Sequence, residues 1–179
     1  LAKAKPGGIN FGSAGVGSQV HMAAENFASA AGIDITHVPY KGEALGYNDL
    51  VAGQIQMMIG NMAAAAPFAA AGKLKALAVT SRERAKMLPN VPTVAESGLP
   101  GFENTGWFGF MVPAGTPKEV VERIHADTAK ALKDPDIVSK LAAQGMVPVA
   151  NAPADFARSI DAESQLWARI VARRKLAPN

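Results

Sequence analysis

The 179-residue sequence contains no cysteine, and only 6% of its residues are aromatic. The lack of cysteine excludes structural disulfides and thiol catalysis, although it does not identify a compartment. No apolar run approaches the roughly 18 residues that a membrane-spanning helix needs. The net charge is only +3, and the basic residues lack the interleaved aromatics typical of a nucleic-acid surface, so we expect no nucleic-acid partner. With 49% hydrophobic residues, the composition indicates a globular, alanine-rich chain.

The sequence also lacks an initiating methionine and a visible signal peptide. It begins at Leu1, and residues 1–5 (LAKAK) are typical of the basic last turn of a helix. We therefore expect this sequence to begin inside a longer protein.

Apolar runs and helical patterns alternate along the first half of the chain, which is typical of a largely parallel sheet covered by helices. The patterns predict strands at 9–11, 33–38, 54–59 and 74–79, and helices at 19–31, 43–52 and 62–71. The pattern changes after Thr80. The second half predicts a loop at 81–92, a short helix opened by the capping box 93–96, a buried strand at 105–112, helices beginning at residues 117, 135 and 153, and an edge strand at 147–149.

The stretch Gly12–Ser18 (GSAGVGS) joins the first predicted strand to the first predicted helix. Its three glycines allow positive φ angles and a close approach of the backbone to a ligand. Ser18 is a favourable N-cap, and the helix that follows begins with unpaired N–H groups. Because these donors and the helix dipole attract anions, the stretch predicts a site for a carboxylate-like or phosphate-like group. A glycine-rich turn that binds no ligand has the same pattern.

Two nucleotide-binding motifs have similar glycine spacings. The Walker A motif requires a lysine after its last glycine, but here Ser18 follows Gly17 directly. The dinucleotide motif is G-x-G-x-x-G, whereas this order is G-x-x-G-x-G, which misplaces the glycines that approach the pyrophosphate. Both patterns are incomplete, and a nucleotide-binding module is kept as the third interpretation.

Few residues are suited to catalysis or metal binding. His21 and Glu25 lie four residues apart on one predicted helix face, but a zinc site needs further ligands that the sequence does not space appropriately. Ser13 or Ser18 could be the nucleophile of an α/β hydrolase or transferase, although no G-x-S-x-G motif is present. We expect no metal and no cofactor, and an α/β hydrolase or transferase is the main alternative to a binding protein.

Polar or small residues follow three successive predicted strands: Gly12–Ser18, Tyr40–Gly42 and Asn61. Because the carboxyl ends of parallel strands meet at one edge of a sheet, we expect these segments to converge. They supply hydrogen-bond donors, small side chains and one cation, but no pair of carboxylates. This set favours anion binding over acid–base catalysis.

Seven short motifs follow one another along almost the whole chain. They are GSAGVGS at 12–18 with His21, HVPYKG at 37–42, DLVAGQ at 49–54, GKLKALAVT at 72–80, LPNVPTVAE at 88–96, WFG at 107–109 and PAGTP at 113–117. In this order they resemble the tripartite tricarboxylate transporter receptors, the Bug family of periplasmic solute-binding proteins.

The resemblance implies an α/β fold of the periplasmic binding protein type (type II, Venus flytrap), with parallel or mixed sheets and flanking helices. It implies a Rossmann-like ligand-binding second lobe at 1–104 and a C-terminal part at 105–179 that returns to the other, incomplete lobe. The family's first lobe begins upstream of the first residue here, so we expect an N-terminal part to be absent from this chain.

The resemblance further implies a periplasmic receptor rather than an enzyme. Such a receptor captures a small carboxylate (a di- or tricarboxylate, an amino acid or an aromatic acid) and passes it to the membrane permease subunits of the transporter. Family members are similar in holding the carboxylate with two loops, partly through ordered water, and one loop maps onto Ser13–Ser18. The expected ligand-binding residues are Ser13, Ala14, Gly15, Val16, Gly17, Ser18, His21, Tyr40, Lys41, Asn61 and Met62.

Overall fold

A computed structural model describes residues 1–176 of the chain. Its elements, in chain order, are β1 (Asn10–Ser13), α1 (Gln19–Ala31), β2 (Thr36–Pro39), α2 (Glu43–Val51), β3 (Met57–Met58), α3 (Met62–Ala70), α4 (Lys118–Ala131), α5 (Pro135–Ala143) and α6 (Pro153–Arg174). Among these residues, no helix is both long and apolar enough to cross a membrane.

The three strands form a parallel sheet in the order β2–β1–β3. The central strand places Phe11 opposite His37 on one side and opposite Met57 on the other. Phe11 is fully buried against Ala24 and Ala28 of α1. The small alanine side chains allow α1 to pack closely on the sheet, so the carboxyl end of β1 emerges directly from the core.

The strand order creates a topological switch point beside β1. The chain leaves β1 for one neighbouring position, β2, and later returns to the opposite side of β1 as β3. Ligands of open α/β sheets bind outside the carboxyl ends of strands at such a point. The loops that follow β1, β2 and β3 are therefore the candidate ligand-binding segments of this fold.

Several predicted strands are shorter than expected or absent. The strand expected at 54–59 is limited to Met57–Met58, and the one expected at 74–79 contributes only a parallel bridge between Val79 and Thr93. Residues 105–112 and 147–149 have irregular backbone, and Phe108 in the predicted buried strand is 85% exposed. Apolar patterning alone did not make these segments strands, because a strand also needs a neighbour to pair its backbone groups.

The short helix predicted after residue 93 is also absent, although its capping box forms. The Thr93 N–H donates to Glu96 Oε2 at 2.7 Å, and the Glu96 N–H donates to Thr93 Oγ1 at 3.0 Å. Turns replace the helix, because Gly98 takes a φ of 114° and Pro100 follows it.

The chain divides into two compact units. The first contains Leu1–Gly106 together with the chain from Trp167 onward, and the second contains Trp107–Leu166. In the second unit, the Trp107 ring packs edge-on against Phe156 with 4.9 Å between ring centroids. A compact unit is not the same as a receptor lobe, so the assignment of 1–104 and 105–179 to lobes stays a prediction.

Candidate functional site

The loop after β1 is a tight turn stabilised by its own hydrogen bonds. Gly15 and Gly17 take φ angles of 125° and 75°, which side-chain-bearing residues rarely adopt. The Ser18 hydroxyl donates to the Gly15 carbonyl at 2.7 Å and accepts the His21 N–H at 3.3 Å. The predicted N-cap at Ser18 is therefore confirmed, and it joins the loop to the first turn of α1.

Ser13 lies at the base of this loop with no exposed surface. Its Oγ is 2.6 Å from His37 Nε2 and accepts the Gly15 N–H at 3.1 Å. The hydroxyl therefore faces the protein interior and connects the ends of two neighbouring strands.

Two histidine rings are stacked beneath the loop. The His21 and His37 ring centroids are 3.9 Å apart, and His37 also stacks on Phe11 at 4.9 Å. Burial, followed by the neighbouring His21, lowers the pKa of His37 to about 4. His21 Nδ1 accepts the Gly17 N–H at 3.0 Å, so the proton of the neutral His21 ring is on Nε2.

A buried carboxylate lies on the other side of His21. Glu25 Oε1 is 3.7 Å from His21 Nε2, and Glu25 Oε2 accepts a hydrogen bond from Arg174 Nε at 2.6 Å. Burial raises the pKa of Glu25, but His21 and Arg174 together outweigh it, so this pKa lies below its usual value. Arg174 also lies 3.8 Å from Asp34. Within the described residues, no group of three His, Cys, Asp or Glu side chains is arranged to hold a metal.

Open hydrogen-bond donors remain at the outer side of the loop. Within residues 1–176, the backbone N–H groups of Ala14, Val16 and Gln19 have no hydrogen-bond partner. Val16 and Gln19 are exposed, and Ala14 is half-buried. The first turn of α1 adds the positive end of the helix dipole at this position. This arrangement can bind an anion, because its donors are free while the loop itself is already ordered.

The segment after β2 adjoins the glycine loop. The Tyr40 N–H donates to the Ser13 carbonyl at 3.1 Å, and a Cβ placed on Gly15 would lie 3.5 Å from the Tyr40 carbonyl oxygen. The Tyr40 hydroxyl donates to Asp49 Oδ2 at 2.8 Å, and burial and this carboxylate raise the pKa of Tyr40. Lys41 is exposed, so its ammonium contributes a solvated charge.

The segment after β3 bonds to a carboxylate that the sequence reasoning did not single out. Glu43 begins α2 and accepts hydrogen bonds from the Asn61 N–H at 2.9 Å and from the Asn61 side-chain amide. The Tyr47 hydroxyl lies 3.5 Å from the same carboxylate. Asn61 therefore bonds to Glu43 and not to the glycine loop, and the adjacent Met62 is half-buried at the start of α3. The acidic residue directly after Gly42, at a helix N-terminus, is a signal that could have drawn attention to Glu43 but not to its partner Asn61.

The α/β fold, with its small parallel sheet and flanking helices, is similar to the folds of periplasmic binding proteins. Three solved structures are similar to this chain. Rhodopseudomonas palustris Rpa4515 with adipate has a TM-score of 0.85 and 35% identity, covering 99% of this chain and 60% of that chain. BugD has a TM-score of 0.82 and 30% identity, and the match covers 99% of this chain and 60% of BugD. MatC, also from R. palustris and with bound malate, has a TM-score of 0.78 and 32% identity, and the match covers 91% of this chain and 56% of MatC.

The sequence model of a protein family, the tripartite tricarboxylate transporter family receptor, matches residues 1–176. The chain therefore belongs to this family. Protein BugT of Bordetella pertussis is 37% identical over 94% of this chain and 52% of its own length. A Pseudomonas protein, described as the UPF0065 protein in the tcbD-tcbE intergenic region, is 39% identical over 99% of this chain and 53% of its own length. The chain thus spans about half the length of these two relatives. The expected α/β fold of the periplasmic binding protein type and the expected family are both confirmed.

Proposed function

We propose that this protein is a receptor that binds a small carboxylate and catalyses no reaction of its own. The observation that carries the proposal is the ordered loop Ser13–Ser18, which combines free backbone donors with the N-terminus of α1. Two similar structures were solved with the dicarboxylates adipate and malate. A dicarboxylate, a tricarboxylate, an amino acid or an aromatic acid is the ligand class that follows.

The proposed binding mode uses backbone groups more than side chains. A carboxylate oxygen of the ligand accepts hydrogen bonds from the free N–H groups of Ala14 and Val16, and the dipole of α1 adds a favourable potential. Ser18 and His21 keep the loop in its binding conformation, while Lys41 adds a weak, solvated attraction. The full proposed set is Ser13, Ala14, Gly15, Val16, Gly17, Ser18, His21, Tyr40, Lys41, Asn61 and Met62.

The hydrolase or transferase alternative is favoured by one specific contact, the 2.6 Å separation of Ser13 Oγ and His37 Nε2. A nucleophile and its base have this geometry. Two observations oppose it. Ser13 has no exposed surface for a substrate to reach, and a pKa of about 4 makes His37 a poor general base near neutral pH.

The receptor proposal extends to location and partners by family membership. We propose that the protein acts in the periplasm and delivers its ligand to the membrane permease subunits of a tripartite tricarboxylate transporter. Residues 1–104 then belong to the ligand-binding lobe, and residues 105–179 belong to the part that returns to the other lobe.

Calorimetric titration of the 179-residue chain tests the proposal. The panel contains adipate, malate, an amino acid and benzoate, with dimethyl adipate as the uncharged control and ATP and NAD as nucleotide probes. The expected result is stoichiometric binding of at least one carboxylate, no binding of its ester, and no conversion of either. Ester hydrolysis that disappears in Ser13→Ala would establish the enzyme alternative, and binding of only ATP or NAD would establish a nucleotide-binding module.

A further inference from the structure

A chain of polar contacts runs from the end of α6 to the glycine loop. It begins at Arg174 Nε, which donates to Glu25 Oε2 at 2.6 Å across 149 positions of sequence. Glu25 Oε1 lies 3.7 Å from His21 Nε2, a buried atom with no hydrogen-bond partner among the described residues, so this link is electrostatic. His21 Nδ1 accepts the Gly17 N–H at 3.0 Å. The side chains of His21 and Glu25 are each 3% exposed and that of Arg174 is 19% exposed, so solvent screens these contacts only weakly.

At the other end of this chain, Gly17 lies in a turn that the Ser18 N–H and hydroxyl close onto the Gly15 carbonyl, at 3.2 Å and 2.7 Å. Gly17 takes a φ of 75°, and no heavy atom lies within 4 Å of the position where its Cβ would be. The hydrogen bond to His21 therefore adds a side-chain restraint on the direction of the Gly17 N–H, beside the bonds that close the turn. That bond requires the tautomer of His21 that carries the proton on Nε2, because Nδ1 must accept.

Glu25 favours this tautomer, since a carboxylate attracts the protonated nitrogen of a neighbouring imidazole. Glu25 itself depends on Arg174, because a buried carboxylate without its cation is strongly unfavourable. His37, which stacks on His21, and Asp34, which is 3.8 Å from Arg174, are the other titratable groups along this path.

We infer that Arg174 is a positioning residue for the glycine loop, and this inference rests on the proposed carboxylate-binding function. Arg174 holds Glu25 ionised, Glu25 selects the tautomer of His21, and His21 turns the Gly17 N–H inward. The neighbouring N–H groups of Ala14 and Val16 are then left open for the ligand. Arg174 acts without touching the ligand, from a helix end that lies far from the loop in sequence.

The test compares Arg174→Ala and Arg174→Lys with Arg173→Ala in the 179-residue chain. Arg173 is the exposed neighbour on the same helix and serves as the matched control. Nitrogen-15 NMR reads the His21 ring tautomer and the Gly17 amide, and titration with adipate reads the affinity. For Arg174→Ala we expect a mixed His21 tautomer, a shifted Gly17 amide and a roughly tenfold weaker affinity. Arg174→Lys keeps a positive charge near Glu25, so we expect smaller changes in it than in Arg174→Ala. Arg173→Ala is expected to match the wild type.

An unchanged His21 ring spectrum in folded Arg174→Ala overturns the inference, as does an equal effect of Arg173→Ala. If Arg174→Ala does not fold, Glu25→Gln supplies the same test, because it removes the carboxylate while keeping the side-chain shape. The NMR readout does not depend on ligand. Failure of the wild-type chain to bind any carboxylate therefore rejects the proposed function, while the tautomer still decides whether Arg174 positions the loop.

Discussion

The hydroxyl of Ser13 and the Nε2 atom of His37 are 2.6 Å apart, although 24 positions separate the two residues in sequence. Parallel pairing of β1 with β2 brings them together, since Phe11 lies opposite His37 in the register. The pair is a polar contact at the base of the loop, because Ser13 is fully buried. Its main expected contribution is therefore to the order of the loop and to stability.

Ser13→Ala tests this contribution. The substitution leaves both the Gly15 N–H and His37 Nε2 without their hydroxyl partner, so we expect the free energy of unfolding to fall by about 1–3 kcal/mol. Urea denaturation followed by circular dichroism measures the change. The control is Ser159→Ala, an exposed serine whose hydroxyl donates to the Asp155 carbonyl at 3.0 Å, with an expected change within about 0.5 kcal/mol. Equal effects of the two variants would show that the Ser13 contact adds nothing to stability.

The low pKa of His37 predicts a dependence of stability on pH. In the folded protein the pKa of His37 is about 4, whereas the ordinary pKa of a histidine is 6.5. Between these values the unfolded chain binds more protons, so stability is complete above pH 6.5 and declines as the pH falls toward 4. We expect His37→Gln to flatten this decline in urea denaturation series from pH 7 to 4.5. Ser159→Ala, an exposed substitution that removes no titratable group, is the control and keeps the wild-type slope. A wild-type slope in His37→Gln would contradict the assignment.

Gly17→Val is expected to weaken carboxylate binding more than Ser18→Ala does. Valine resists the φ of 75° at Gly17, while Ser18→Ala removes a cap and one further hydrogen bond, roughly 1 kcal/mol each. Gly53→Val is the matched control, because Gly53 has a φ of 76° and equally open space around its Cβ position. Both valine variants should lose about 1–2 kcal/mol of stability, but only Gly17→Val should lose affinity. Calorimetry with adipate decides this, and a loss of affinity in Gly53→Val equal to that in Gly17→Val would refute a specific role of the loop.

Lys41→Ala is expected to weaken carboxylate binding by about tenfold or less, which corresponds to roughly 1 kcal/mol. The reason is that Lys41 is exposed and its hydrated ammonium interacts modestly with an anion. Lys73→Ala, another exposed lysine, is the control and should bind as the wild type does. Complete loss of binding in a folded Lys41→Ala variant would identify Lys41 as the main clamp and contradict the backbone-based mode.

Local signals in the sequence predicted the helices and the glycine turn of the first half, but not the extent of its strands at 54–59 and 74–79. The bounds of α1 agree with the prediction at 19–31, because Ser18 caps its start and Gly32, with a φ of 60°, ends it. The glycine turn, the strand–helix alternation and the start of α2 also depend on neighbouring residues alone. Such features are set by backbone preferences within a few positions, so they can be predicted without the rest of the chain.

The contacts that give the loop its surroundings depended on the tertiary structure. The pairs Ser13–His37, Glu25–Arg174 and Asn61–Glu43 join residues that are 24, 149 and 18 positions apart. Nothing in their spacing selects these partners. The same reason explains the strand predicted at 105–112, where the apolar pattern was present but the described backbone pairs with no strand. The sequence by itself determined which segments could be helices, turns and strands. Only the tertiary structure decided which polar groups and which strands came into contact, because each such pair needs a partner from elsewhere in the fold.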